Sequence, residues 1–414
     1  MLGEVPSGWT RQKLAAITEP INRVCGDDDL PVLSVSKVLG IVPQGEKFKK
    51  RIASADTARY RRVRLGEFAY DPMLLWDGSI SRQMRVPEGV ISPAYEVFRA
   101  TRDVDHEFLL TLLKSPHMVA VYRNVSVGTN VRRKQADYNT FGRIEVPLPP
   151  LPEQKKIAAI LSSVDEAIQA TQAVIDQTRR VKEGLLQDLL TRGIKHTRFK
   201  QTEIGEIPEG WEVRTLGSLM PSSEGIKPGP FGSALTKDRF FDRGYKVYGQ
   251  EQVLAGDLAV GAYYVAPEHF HELRKFEVLE GDLLLTLVGA GTPGKVLVVE
   301  QPFQPGLINP RLIRIRPPLT RLIPHFLARV FEAPMTQREI LRIGQGGAMP
   351  VLSAGLVRGL WVPLPPLGEQ RAIVERLNDW DDGLRTAELA LRQHGRVKAG
   401  LLQDLLTGRV RVSP

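Results

Sequence analysis

Basic side chains are the residues of this sequence best suited to bind something. Between Lys47 and Arg64 lie Lys47, Lys49, Lys50, Arg51, Arg59, Arg61, Arg62 and Arg64, against Glu46 and Asp56, with Phe48 and Tyr60 interleaved. A second group, Arg132, Arg133 and Lys134, follows the turn Gly128-Thr129-Asn130. A charge run is ordinarily a solvated face. Two runs in one module with a net basic excess point instead to phosphate or base-edge contact. Arg and Lys suit guanine edges and Asn and Gln suit adenine, which makes Asn130, Gln135, Gln83 and Gln44 candidate readers.

Catalytic and cofactor patterns are weaker. GAGTPG matches G-x-G-x-x-G at Gly289, Gly291 and Gly294, but a nucleotide-binding loop needs a helix after it. Here Pro293 sits in the loop and the strand-like KVLVVE follows, so a β-hairpin turn is expected. His269 and His271 form an H-x-H pair with no third ligand near in sequence, too few for a metal site. Asp71-Pro72-Met73 half matches the acidic-Pro-Pro-aromatic signature of amino-methyltransferases. There is no P-loop and no acid–acid–Lys nuclease spacing. The expectation is no catalytic residue, no metal and no cofactor bound by this chain.

The elements that must position these residues are announced by a repeat. VPLPPLPEQ…RVKEGLLQDLLT at 146–191 recurs as VPLPPLGEQ…RVKAGLLQDLLT at 362–407, ungapped, 216 positions later. Each copy carries an apolar stripe at steps of four and three: Ile157, Leu161, Val164, Ile168, Thr171, Ile175, Thr178, Leu185 and Leu189, then Ile373, Leu377, Trp380, Leu384, Ala387, Leu391, His394, Leu401 and Leu405. That period predicts two long helices, the first over 153–190, with a narrow seam that neither can bury alone. Pairing of the two copies as a coiled coil satisfies both. Lys182 and Lys398 interrupt the stripe, and Gly184 and Gly400 predict a close approach, a kink or an end.

A shorter repeat opens each half: GEVPSGWTRQKL from Gly3 and GEIPEGWEVRTL from Gly205. The frame therefore surrounds two different inserts. The expected domains are 1–146, a first recognition module; 147–202, the first helix and a basic connector; 203–361, a second module; and 362–414, the second helix and tail. In the first module Val32–Val35 and Gly66–Tyr70 read as strands and Glu107–Ser115 as a helix. In the second, Gly281–Val288, Lys295–Glu300 and Leu312–Ile315 read as strands, and Leu322–Phe331 and Met335–Ile343 as helices. The fold class is α+β, two mixed modules separated by two long helices packed as an antiparallel coiled coil, with an internal pseudo-two-fold repeat.

Net charge is +9 over 414 residues, with a calculated pI near 9.6. The excess lies in the first half: residues 1–146 hold 22 basic and 17 acidic residues, whereas 203–362 hold 17 of each. The second module's candidates, Lys227, Lys237, Arg239, Arg243 and Lys295, therefore rest on local loops rather than on charge excess. The single cysteine, Cys25, is expected to be a buried or inert loop thiol and suits a reducing cytoplasm. No run of about 18 apolar residues exists, and MLGEVPSGWT lacks the apolar core of a signal peptide.

The chain resembles the DNA-specificity subunit of type I restriction–modification systems over essentially its whole length. The motifs that carry the resemblance are PLPPLPEQ at 147–154, PLPPLGEQ at 363–370, the two GLLQDLLT endings and IGEIPEGWE at 204–212. That family's target-recognition domains are resembled by VLSVSKVLGIVPQ, YDP and ISPAYEVF in the first module and by GDLLLTLVGAGTPGKV in the second. The resemblance implies a non-catalytic DNA-binding subunit whose modules each read half of a split, asymmetric site. It implies a helical ruler that fixes the spacer. It also implies two methyltransferase subunits, which supply S-adenosylmethionine and adenine methylation, and restriction subunits that add ATP- and Mg-dependent translocation and cleavage. The alternatives are a fused methyltransferase or nuclease, a specificity subunit of a type II-like system, and an assembly scaffold that does not read DNA.

Overall fold

The computed structural model describes residues 5–48, 52–54, 56–126, 135–220, 222–287, 293–344 and 352–413. The chain divides into two compact units, Met1–Gln172 with Leu389–Pro414, and Ala173–Glu388. Each takes one module and part of each long helix.

In the first unit the opening repeat becomes strand β1 (Thr10–Lys13), which pairs antiparallel with β10 (Glu145–Leu148), the PLPP lead-in, Thr10 opposite Leu148. Between them run β2 (Thr18–Pro20), β3 (Leu33–Ser36), β4 (Gly40–Pro43), β5 (Arg61–Arg64), β6 (Phe68–Tyr70), β7 (Ile80–Arg82), β8 (Glu88–Ile91) and β9 (Glu96–Ala100). The central sheet has the antiparallel order β2-β9-β6-β7; β3–β4 and β5–β8 form separate pairs. Strand β6 is shorter than the pattern suggests because Gly66 turns with φ +87°. Helix His106–Lys114 is capped by Asp105, whose carboxylate accepts the N–H groups of Glu107 and Phe108. Ser115 caps the next helix, Pro116–Val125. Phe68, Tyr70, Phe98, Phe108 and Phe141 fill the core, which continues onto Ile157, Leu161, Leu405 and Leu406 of the long helices. Cys25 is fully buried, its thiol donating to the Asp28 carbonyl.

The second unit opens with a hairpin, β11 (Phe199–Thr202) and β12 (Gly205–Pro208). Then β13 (Glu212–Thr215) pairs with β21 (Trp361–Leu364) as β1 pairs with β10. The rest of the module carries β14 (Ile226–Pro228), β15 (Tyr245–Tyr248), β16 (Tyr264–Val265), β17 (Leu283–Thr286), β18 (Val296–Val298), β19 (Gly306–Ile308) and β20 (Leu312–Ile315). Its sheet has the order β14-β20-β17-β18, again all antiparallel. Position for position this is the first module's sheet, although the two inserts share little sequence. The turns entering β9 and β20 share an Ile-x-Pro tripeptide, Ile91-Ser92-Pro93 and Ile308-Asn309-Pro310. The expected hairpin across GAGTPG is present as β17–β18, Leu283 opposite Val298; its turn, Val288–Thr292, lies outside the described residues. Helices Pro324–Glu332 and Pro334–Gly344 follow, each begun by a proline, which needs no N–H donor at that position.

The long helices span Leu151–Thr191 and Leu367–Thr407, 41 residues each and so about 60 Å at ~1.5 Å per residue. The first begins two residues before the expected start. Gly184 and Gly400 neither end nor crowd them: each helix continues, and a β-carbon at either position would meet nothing within 4 Å. The expected close approach and the expected end are corrected there. Of the stripe, Ile157, Leu161, Ile175, Leu189, Ile373, Leu377 and Leu405 are buried. Val164, Ile168, Leu185, Trp380, Leu384, Leu391 and Leu401 are half-buried, as two helices without further cover require. Leu186, Leu190 and Leu406, off the stripe, are buried as well, because the closing GLLQDLLT turns pack on module cores.

The partners across the seam run antiparallel in each unit. In the first, Lys398 bonds Asp165 and Thr171 Oγ1 lies 3.5 Å from His394 Nδ1. In the second, Lys182 bonds Asp381 and Arg179 Nη2 donates to Glu388 Oε1 at 2.6 Å. Numbers rise along one helix as they fall along the other. The two lysines that break the stripe lay their stems along it and carry their ammonium groups to an aspartate. Among the described residues no helix is long and apolar enough to cross a membrane.

Candidate nucleic-acid interface

In the first module β5 presents three arginines around the buried Val63. Arg61 Nη1 donates to Glu96 Oε2 at 2.7 Å. Arg62 donates to the carbonyls of Val24 and Cys25, at 2.9 and 2.5 Å, and pairs with Asp28. Arg64 Nε reaches Glu88 Oε1 at 3.0 Å. Lys47 Nζ donates to the Val35 carbonyl at 2.7 Å and stands 5.0 Å above the Phe48 ring. These four cations thus hold the module together as well as facing outward. Arg59 is exposed and forms no ion pair among the described residues. Lys49, Lys50, Arg51, Asn130, Arg132, Arg133 and Lys134 lie outside the described residues.

The glutamines divide. Gln44 Oε1 accepts the N–H groups of Ile52 and Ala53, at 3.1 and 2.9 Å, and so clamps its own loop. Gln83 is fully buried, its Oε1 accepting the Arg85 N–H, which removes it as a surface reader. Gln135 is exposed. Asp71 is buried and its Oδ1 accepts the Met73 N–H at 2.9 Å; burial pushes its carboxyl up. The YDP run is therefore a turn that closes β6.

In the second module, net neutrality hides a division between internal and outward charge. Arg314 is buried and donates to the carbonyls of Glu224, Lys275 and Glu277. Arg316 grips Asp282 with two bonds of 2.7 and 2.8 Å. Lys227 pairs with Glu224. Arg239 Nη1 donates to His269 Nδ1 at 3.0 Å, while His269 Nε2 donates to the Ala234 carbonyl at 2.7 Å. That uses both ring nitrogens of His269 as an anchor for the 232–239 turns. Lys237 lies in the single turn Lys237–Arg239. Arg243 and Lys295 are exposed, and so is Arg311, which the sequence reading missed. Arg311 follows the Asn309-Pro310 turn, where Asn309 Oδ1 accepts the Arg311 N–H. Its signal was the Ile-x-Pro tripeptide shared by the two modules.

The frame around both modules is built from the same side chains. Glu153, 2% exposed, accepts the Trp9 indole N–H at 3.0 Å and two bonds from the Arg411 guanidinium, at 2.8 and 2.9 Å. Those bonds, Arg411's first, hold its carboxyl below the usual range. Glu369 accepts the Trp211 indole N–H at 2.9 Å and faces His196 Nε2 at 2.8 Å. Gln154 accepts the Asp105 N–H and donates to the carbonyls of Asp103 and Pro149. Gln370 accepts the Ile323 N–H and donates to the carbonyls of Arg321 and Pro365. The Glu-Gln pair of each PLPPLxEQ thus locks module to helix twice over.

A family model described as type I restriction modification DNA specificity domain matches residues 88–178 and 208–391, more than half of the chain. The type I restriction enzyme MjaVIII specificity subunit of Methanocaldococcus jannaschii is 28% identical over 350 residues, 83% of this chain and 79% of that one. The putative MjaX specificity subunit of the same organism is 26% identical over 99% of this chain and 96% of its own. A chain from a solved structure described as the structural basis underlying complex assembly and conformational transition of the type I R-M system superposes with a TM-score of 0.63. It has 16% identity and covers 98% of this chain and 100% of that one, a likeness of fold. Two modules of one sheet order, held by one duplicated frame, in a chain that the family model matches over more than half of its length, place it in the type I restriction–modification DNA specificity family.

Proposed function

We propose that this chain is the DNA-reading, non-catalytic specificity subunit of a type I restriction–modification complex. The first module reads one half of a split, asymmetric site, the second reads the other, and the paired helices set the spacer. One observation carries the reading: an identical Trp–Glu and Gln frame holds two sheets of the same order whose loops differ. A protein that must read two unlike half-sites while offering equal seats to two copies of one partner needs that combination. The expected partners are double-stranded DNA, two modification subunits that supply S-adenosylmethionine, and restriction subunits that supply ATP- and Mg-dependent translocation and cleavage, all in the cytoplasm.

Phosphate contact falls to the first module's outward cations, Arg59 foremost, and to Arg243, Lys295 and Arg311 in the second. The test is single-molecule sequencing of adenine methylation in cells carrying this chain and its modification subunit. The expected product is one bipartite motif. Exchange of residues 217–360 for those of a relative should change one half of that motif and leave the other and the spacer intact. Methylation by the purified chain alone, or an unchanged motif after the exchange, would overturn the reading.

A further inference from the structure

The four strands of the second module's sheet gather several loops at one end. The end of β14 faces the start of β20, Pro228 opposite Ile313; the end of β17 also faces it, Thr286 opposite Leu312; and β18 starts there. Three outward side chains leave from that end: Phe231 after β14, Arg311 before β20 and Lys295 before β18. Neither cation forms an ion pair among the described residues. Phe231 is 90% exposed, whereas Phe270, Phe276, Phe326 and Phe331 of the same unit are buried.

Exposure of this ring is not looseness of its loop. Pro230 and Leu235 on either side are buried. The Gly229 N–H donates to the Leu312 carbonyl at 2.9 Å, the Ala234 N–H to Phe231's own carbonyl at 2.8 Å, and His269 holds Ala234. A β-carbon at Gly229 would lie 1.9 Å from the Asn309 carbonyl oxygen, so the loop is pressed onto the turn that carries Arg311. The chain is fastened on both sides of a ring that it keeps out of the core, at the sheet end from which Arg311 and Lys295 also leave, neither with an acidic partner among the described residues.

We propose that Phe231 is a stacking wedge for DNA, inserted at a base step of the half-site read by the second module, with Arg311 and Lys295 on the flanking phosphates. An aromatic face stacks on any base, and an apolar side chain driven between base pairs opens the step that deforms most easily. The ring then contributes affinity and, through the deformability of the step, sequence preference without a hydrogen bond. This rests on the DNA-reading function proposed above.

The test uses the full chain assembled with its modification subunits. Duplexes carrying the mapped motif bear 2-aminopurine at successive positions of the second module's half-site. Wild type is expected to raise the fluorescence at one step. Phe231→Ala should abolish that rise and weaken cognate binding roughly 5- to 100-fold, the usual loss per stacked base, with an unchanged salt slope because no counterion is involved. Phe231→Trp should keep both signals. Arg311→Ala should instead lower the slope by about 0.9. A Phe231→Ala chain that binds and unstacks like wild type overturns the wedge alone, as does one whose defect is loss of the modification subunits. A wild-type assembly with no sequence-selective binding overturns the DNA-reading function and the wedge with it.

Discussion

Lys398 bonds Asp165 across the seam of the first unit, and the residues 216 positions removed from them, Lys182 and Asp381, make the same bond in the second. The side chains are partly sheltered, with exposures of 32% and 43% in the first pair and 20% and 27% in the second. Such pairs contribute modestly to stability but fix which turn of one helix meets which turn of the other. Lys398→Asp should lower stability by about 1 kcal/mol, and adding Asp165→Lys should recover about half of it; Asp381 also pairs with Arg329, so the first unit's pair is the one that can be exchanged cleanly. Urea denaturation of the single and paired variants measures both.

Gln154 and Gln370 are almost wholly buried, each with three backbone partners. Truncation leaves an N–H and two carbonyls without their partner in a site closed to water. Gln370→Ala should therefore cost about 2–4 kcal/mol, and Gln370→Glu should not rescue it, because a carboxylate cannot donate to the Arg321 and Pro365 carbonyls. Thermal unfolding of the three proteins checks the order.

Trp9 and Trp211 each give one indole N–H to a frame glutamate. Replacing either by Phe keeps most of the packing and removes the bond, at a cost of about 1–2 kcal/mol. Denaturation followed by the remaining tryptophan signals reads it.

The Glu153 carboxyl is held below its ordinary range chiefly by Arg411. A carboxylate with a depressed folded pKa stabilises the protein above its unfolded pKa, and that stability is lost as pH falls through the folded value. Wild type should therefore exceed Glu153→Gln in urea midpoint at neutral pH, and the gap should close as the pH drops below about 4. A gap that stays constant from pH 7 to pH 3 would show that the charge of Glu153 is not what matters.

Charge reversal at Arg61 or Arg62 confounds DNA binding with stability, because both hold the module's own acids and carbonyls. Arg59→Glu is the cleaner variant. It should lower the salt slope of DNA binding by about 0.9 with no change in melting temperature.

The frame was legible in the sequence because it is written twice; the ungapped match at 216 residues located both helices and their seam. The matching of the two sheets was not legible. Strands of three or four residues hold too few positions for a pattern, and only the Ser92-Pro93 and Asn309-Pro310 turns are alike. Lys182 and Lys398 read as flaws in the stripe because their aspartates lie about two hundred residues away. The same distance problem disguised β5: Glu96, Glu88 and Asp28 reach its arginines from other segments, so a tally of local charge could not see them. Phe231 carried no signal, since nothing in GPFG says which way the ring faces.

The first unit needs Leu389–Pro414 for completion, whereas the second, Ala173–Glu388, is contiguous. The N-terminal module emerges early but waits for Leu405, Leu406 and Arg411 to cover its core and meet Glu153. The last helix turns to be made are thus the ones that close the half made first.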